Sequence, residues 1–252
     1  MQQKRRFLMI AAACSIAVIA ASASGADAKR NGSAPLPQGS EPFKIDPARF
    51  TTNIDNAWWP MRPGARWVYR ETDPAGGKIR VTVTVTNKTR KLANGVEARV
   101  VHDAATRRGR LVEVTDDFYS QDSDANIWYL GENTKEYRRN GKVKSTAGSF
   151  EAGVNGAQGG IIVPADPVPG LKYREEYYAG QAEDRGEGVS VGEQAQVPFG
   201  HFSPALMIKD TNPLEPTHLE YKFYAKGIGP VLAIGVSGSS DREELVEFKR
   251  GR

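Results

Sequence analysis

Hydrophobic and polar residues alternate for eight positions in Ile79-Arg80-Val81-Thr82-Val83-Thr84-Val85-Thr86, and a period of two puts alternate side chains on opposite faces of a β-strand. From Trp67 onward, short runs rich in Val, Tyr, Thr and Phe are separated by Gly, Asn and Asp, the composition of strands joined by turns. Asn94-Gly95 and Asn140-Gly141 each stand between two such runs. Asn-Gly tolerates the left-handed backbone that tight hairpins need, so the pattern predicts antiparallel meanders. Beyond residue 28 no stretch of twelve combines an apolar stripe at 3.6 spacing with caps. Helix is expected only as short turns, around Asp46-Pro47-Ala48-Arg49-Phe50 and from Ala147 to Val154.

The meander is written twice. Pro-Gly precedes an aromatic in PGARWVYRE, with Trp67, and in PGLKYREEY, with Tyr173, an offset of 106. Asn94-Gly95 leads to Asp103 as Phe199-Gly200 leads to Asp210, an offset of 107, and Phe118-Tyr119 recurs as Phe223-Tyr224 at 105. Three landmarks in one order and nearly one spacing mark a duplicated unit. The expected fold is all-β, with two copies about 105 residues apart forming one curved-sheet, barrel-like or sandwich body with little helix. A single body covers sheet edges that two separate units would expose. The expected organisation is a signal peptide over 1–28, a flexible leader over 29–42, and one β-rich domain over 43–252. Its repeats span about 60–131 and 166–236, around a Gly-rich spacer at 132–165.

The leader changes the setting. Lys4-Arg5-Arg6, an apolar run from Phe7 to Ala21 and the small-residue exit Ala26-Asp27-Ala28 are the three parts of a secretory signal. The expected location is therefore periplasmic or extracellular, with no transmembrane span in the mature chain. Cys14, the single cysteine, lies in the apolar run; its alternative role is a lipid attachment point. Cleavage after Ala28 leaves no thiol, which excludes disulfides, thiolate zinc sites and cysteine nucleophiles. It also removes three basic groups and one acid from 34 Lys and Arg and 30 Asp and Glu, leaving 31 against 29. That balance, with bases and acids interspersed, argues against nucleic acid as a partner.

Candidate chemistry is sparse. Asp122-Ser123-Asp124-Ala125-Asn126 opens like a calcium loop, making Asp122, Asp124 and Asn126 weak metal candidates, but Ile127 and Asn133 stand where an EF-hand needs Gly and Glu. The alternative is a hairpin turn using local side-chain hydrogen bonds. His102, His201 and His218 show no ligand spacing. No G-x-S-x-G nucleophile elbow, phosphate loop or dinucleotide fingerprint is expected beyond the leader, and no cofactor is expected. Carboxylates beside aromatics are the recurrent polar theme, in Trp128-Tyr129-Leu130-Gly131-Glu132, Lys135-Glu136-Tyr137, Tyr173-Arg174-Glu175-Glu176-Tyr177 and Glu183-Asp184. They fit either paired acids for glycan hydrolysis or a solvated face with cross-strand ion pairs. Trp58-Trp59-Pro60 reads as a core plug or lid, or else a carbohydrate platform.

Residues 54–69 (IDNAWWPMRPGARWVY), 117–137, 160–184 and 197–231 resemble a widespread family of uncharacterised bacterial exported β-rich proteins. The resemblance covers nearly the whole chain beyond the leader and implies no catalytic residue. The strand and turn pattern is more distantly similar to periplasmic lipoprotein-carrier proteins, whose curved sheets enclose apolar ligands. Export, duplication and the lack of an assigned catalytic motif point to a non-enzymatic binding or envelope-associated protein. Its partner would be a lipid, another apolar or amphipathic ligand, or a cell-envelope component. Trp128, Tyr129, Tyr173 and Tyr177 are the expected lining of its concavity, with Glu132 and Glu176 as orienting groups. The alternatives are an envelope-polymer hydrolase using paired carboxylates and an interaction module without a small-molecule site.

Overall fold

The computed structural model describes residues 35–73 and 75–252; the leader segment 1–34, with Cys14 and the signal-peptide assignment, lies outside the described residues. One three-residue 3-10 helix, Pro47–Arg49, precedes the short β1 (Phe50–Thr51). The first meander is β2 (Arg66–Thr72), β3 (Lys78–Lys91), β4 (Glu97–Arg107), β5 (Arg110–Asp122) and β6 (Ile127–Tyr137). Short pieces follow: β7 (Val143–Ser145), β8 (Phe150–Glu151), β9 (Gln158–Val163), β10 (Lys172–Arg174) and β11 (Glu176–Tyr177). The second meander is β12 (Arg185–Val197), β13 (Gly200–Thr211), β14 (Leu219–Ala225) and β15 (Gly229–Ser237), and the chain ends with β16 (Arg242–Lys249).

Hydrogen bonds join the strands into one sheet in the order β10-β12-β13-β14-β15-β16-β2-β3-β4-β5-β6-β9-β11. The two ends of that path, β10 and β11, are consecutive in the chain and separated only by Glu175. One stretch therefore pairs with β12 on one side and β9 on the other, which draws the sheet into a nearly closed barrel and leaves little free edge. The seam depends on Gly160. A Cβ there would overlap the carbonyl groups of Arg174 and Glu175, and backbone atoms cannot swing aside as a side-chain end can. Gly160→Ala is expected to lower stability by about 2–3 kcal/mol in urea denaturation, as overpacking does. Gly192→Ala, whose Cβ would meet nothing within 4 Å, is the control and should change stability little.

The hairpins follow the sequence closely. Gly95 and Gly141 take φ of +87° and +78°, and each closes a turn in which its N–H donates to the carbonyl three residues back, 2.9 Å away. The segment from Ala147 to Val154 forms no helix. Gly148 and Gly153 adopt φ of +102° and +95°, which breaks right-handed helical geometry, and the segment folds into turns around β8.

Both faces of the barrel wall carry buried side chains. On the outside, Phe43 and Phe50 pack on Trp128 with ring centroids 5.2 and 5.5 Å away. Residues 35–42, expected as free leader, are held on the wall. Arg174 Nη1 donates to the carbonyls of Gly39 and Glu41 at 2.6 and 3.0 Å, and Gln38 Nε2 to that of Lys172 at 2.7 Å.

The end of the barrel near β5–β6 and β14–β15 is stopped by the loop carrying Trp58 and Trp59, as the plug assignment expected. Trp59 is buried among Trp67, Tyr119 and Tyr224, with centroids 5.5 to 6.5 Å apart. Asn56 pins the loop. Its Oδ1 accepts from Trp58 N at 2.8 Å, and its Nδ2 donates to the Ala125 carbonyl at 2.9 Å. The opposite end, formed by the β2–β3, β4–β5 and β6–β7 turns, opens into a cavity of about 900 Å³.

Candidate functional site: a lumen of tyrosines and carboxyl groups

Strand register decides what faces inward. Asp103 stands opposite Thr115, Asp117 opposite Glu132, and Tyr119 opposite Tyr129. In the second meander Asp210 stands opposite Glu220, and Tyr173 opposite Gly186. The ring of Tyr173 lies where a Cβ on Gly186 would be, so that glycine makes room for an aromatic inside the barrel. The landmarks that reveal the duplication, Trp67 with Tyr173, Asp103 with Asp210 and Tyr119 with Tyr224, are all buried. The electrostatic influence of Asp103, Asp210 and the tyrosines on one another places these groups around a common interior.

One cluster centres on Tyr129. Its hydroxyl lies 3.0 Å from Asp117 Oδ1 and 3.1 Å from Glu132 Oε2. A phenol has one proton to donate, so both contacts are hydrogen bonds only when one of the carboxyls is protonated. Burial, with Glu132 and Asp103 nearby, pushes Asp117 well above the usual carboxylate range. Burial, then Glu132 and Asp117, raise the Tyr129 phenol. Asp117 and Glu132 nevertheless keep part of their accessible surface, so there is space beside them within the barrel.

A second cluster surrounds Lys222, which is 2 % exposed and ion-paired with Asp210. Burial alone would lower the Lys222 ammonium, but Asp210, Glu175 and Glu220 hold it well above its ordinary value. One cation cannot balance so many acids. Burial, with Asp210 next to it, raises Glu175, and burial with Asp184 raises Glu176. Burial lifts Asp184 to about 7, against the lowering effect of its hydrogen bond with Glu176 and of Lys222. Burial likewise lifts Glu220 to about 8. The Tyr173 hydroxyl, Glu175 Oε1 and Asp184 Oδ2 are buried without a hydrogen-bond partner among the described residues. Chemically, the lumen offers neutral carboxyl and phenol groups that donate and accept hydrogen bonds, and aromatic faces for apolar contact.

The structure divides the six residues expected to line the site. Tyr129, Glu132, Tyr173 and Glu176 belong to the lumen, and Glu132 and Glu176 act electrostatically on one another and on Tyr129. Trp128 points to the other side of the wall, where its Nε1 donates to Asp122 Oδ2 at 2.8 Å. Tyr177 is half-buried beside Arg174. Of the solvated-face account, the ion pair holds for Glu136, which meets Lys144 at 2.6 Å in the wall of the mouth cavity, whereas Glu175, Glu176 and Asp184 are 1 to 5 % exposed. Asp117, Tyr119, Lys222 and Tyr224 were not among the expected site residues, although Tyr119 and Tyr224 served as repeat landmarks. The repeat offset could have found them, since 105 residues relate Asp117 to Lys222 and Tyr119 to Tyr224.

The segment from Asp122 to Asn126 is a hairpin turn. Asp122 Oδ1 accepts from the N–H groups of Asp124 and Asn126, each at 2.9 Å, and Oδ2 accepts from Asn126 Nδ2 and Trp128 Nε1. Four donors occupy this carboxylate, and Asp124 is ion-paired with Arg49. His102 Nδ1 lies 2.7 Å from Asp116 Oδ1 across β4–β5. The letters G-x-S-x-G do occur, contrary to expectation, at Gly188-Val189-Ser190-Val191-Gly192. They lie within β12, where Ser190 Oγ accepts from Gly192 N at 3.1 Å. A nucleophile elbow requires a strand-turn-helix, which this is not.

No protein-family model and no curated protein matches the chain, so the family resemblance rests on the motifs alone. A solved structure from Parabacteroides distasonis ATCC 8503, described as a "putative lipoprotein", is similar at 14% identity and a TM-score of 0.44, over 77% of this chain and all of that one. No helix among the described residues is long and apolar enough to cross a membrane.

Proposed function

We propose that the protein is an exported, envelope-associated binding protein that holds an amphipathic ligand inside its barrel. The apolar part lies against Tyr119, Tyr129 and Tyr224, and the polar part meets Asp117, Glu132, Tyr173 and Glu176. The observation that carries this reading is the set of buried polar atoms without hydrogen-bond partners among the described residues, the Tyr173 hydroxyl, Glu175 Oε1 and Asp184 Oδ2, in a barrel plugged at one end and with a cavity at the other. Leaving such groups unsatisfied costs about 1–3 kcal/mol each, and a ligand with matching donors and acceptors removes that cost. The mouth cavity is of the size that takes small molecules.

Native mass spectrometry of the mature protein, purified from its own envelope fraction, should show a bound molecule at one per chain. Tyr129→Phe and Glu132→Gln should release it while the circular dichroism spectrum stays unchanged. A clean apo mass, with both variants altering stability alone, would leave an interaction module without a ligand. Turnover of an envelope polymer, lost in Glu176→Gln with the fold intact, would replace binding by hydrolysis.

A further inference from the structure

We propose that the open mouth of the barrel is a binding site for a phosphate-bearing anion, either the headgroup of an amphiphile or a free phosphorylated molecule. Three hairpin tips converge there. The β2–β3 tip brings Lys78, the β4–β5 tip Arg108 and Arg110, and the β6–β7 tip Arg138 and Arg139. Seven cationic and three acidic side chains line the cavity of about 900 Å³. Two of the cations are engaged, Arg107 with Asp73 at 2.8 Å and Lys144 with Glu136 at 2.6 Å. The other five make no ion pair among the described residues, and all five are exposed.

Five exposed cations on neighbouring tips outnumber the remaining acids of the cavity wall, Glu71 and Glu113, so the concavity carries a positive field that favours an anion. Arg108 adds a second observation. It takes φ of +52° beside Gly109 at +73°, the left-handed pair of a primed hairpin turn. Asn, Asp or Gly fits that position with less strain, yet an arginine stands there and lines the mouth cavity. Guanidinium groups match phosphate oxygens with paired hydrogen bonds. Ile79, Leu111 and Val112 in the same wall give an apolar surface next to the charges, as a headgroup joined to an acyl or isoprenoid chain requires.

This inference deepens the lumen-binding reading by naming the polar end of the ligand, and the two fail separately. The probes are inorganic pyrophosphate, followed by isothermal titration calorimetry, and vesicles of phosphatidylglycerol against phosphatidylcholine, followed by sedimentation at low and high salt. Wild type should bind one or both anionic probes, with affinity falling as salt screens the charges. Arg138→Gln with Arg139→Gln should weaken binding at least about tenfold. Arg108→Asn, which suits the turn, should weaken it about threefold or more without lowering stability. These folds correspond to roughly one lost solvent-exposed charge contact per side chain. Pyrophosphate binding alone identifies a free phosphorylated ligand, and vesicle binding alone a headgroup presented on a surface; both support the site. Binding that is absent, equal on neutral vesicles, or unchanged in the variants overturns it. A neutral molecule found in the lumen by native mass spectrometry would then leave the binding function standing without the anion site.

Discussion

Urea denaturation should show the protein several kcal/mol more stable near pH 5 than near pH 8, the reverse of the usual effect of carboxylates held in ion pairs. The sign comes from the lumen. Asp184 and Glu220 titrate at about 7 and about 8 in the folded barrel, against roughly 4 in the unfolded chain. Between those limits the native state binds protons that the unfolded state has released, so stability falls as pH rises through the interval. Each unit of difference is worth about 1.4 kcal/mol per group, and burial shifts Asp117, Glu175, Glu176 and Asp210 in the same direction. Lys222, shifted upward, contributes below its unfolded value near 10.4 and does not change between pH 5 and 8. Glu244, lowered by hydrogen bonds from Arg70 and Arg242 against the effect of burial, stabilises the fold above about pH 4 and loses that contribution below it. Maximum stability near pH 5 is therefore expected. Glu220→Gln, which cannot ionise, should flatten the decline. A profile that is level or rising from pH 5 to 8 would show that these carboxyls are ionised in the barrel.

Trp59→Ala should cost about 3–5 kcal/mol, the range for removing a buried indole. Its ring fills the space between Trp67, Tyr119 and Tyr224 and occupies the place where Gly229, at φ +110°, has no side chain. For a chain of this size the loss amounts to a fall of about 10 °C in Tm. Trp59→Phe should cost much less, because Trp59 Nε1 has no hydrogen-bond partner among the described residues and the aromatic contact survives. The pair separates a packing role from a polar one, and equal losses in the two variants would count against the plug. If Trp59→Ala keeps its fold, water entering from that end should also lower the raised carboxyl values and shrink the pH effect.

The strands were legible because their signal is local. Alternation over Ile79–Thr86 gives β3 its inward face of Ile79, Val81, Val83 and Val85, and Asn-Gly sets two of the turns. The acids were harder to place. Period two says that Trp128 and Tyr129 lie on opposite faces but not which face encloses a lumen. The outer face of this barrel is itself covered, by Phe43, Phe50 and residues 35–42, so an aromatic at a buried position can point either way. Glu176 was expected in the concavity, but its run fitted a solvent-facing strand equally well, because most strand acids face water. Here Glu175 and Glu176 lie at the seam where β10 passes into β11, and closure buries them.

Local chemistry, spacing and duplication determined that this chain forms antiparallel hairpins in two related meanders, since each hairpin depends on its own turn residues and alternation. Only the tertiary structure decided that Lys172–Tyr177 joins the two ends of the sheet, which end of the barrel the two-tryptophan loop stops, and that lysine and arginine side chains from three tips surround the other. Those arrangements depend on contacts between residues more than a hundred positions apart, such as Trp59 with Tyr224 and Gln38 with Lys172. The same closure turns an alternating pattern of acids and tyrosines into a lumen, because the inner face of a barrel is removed from bulk water whatever its side chains are.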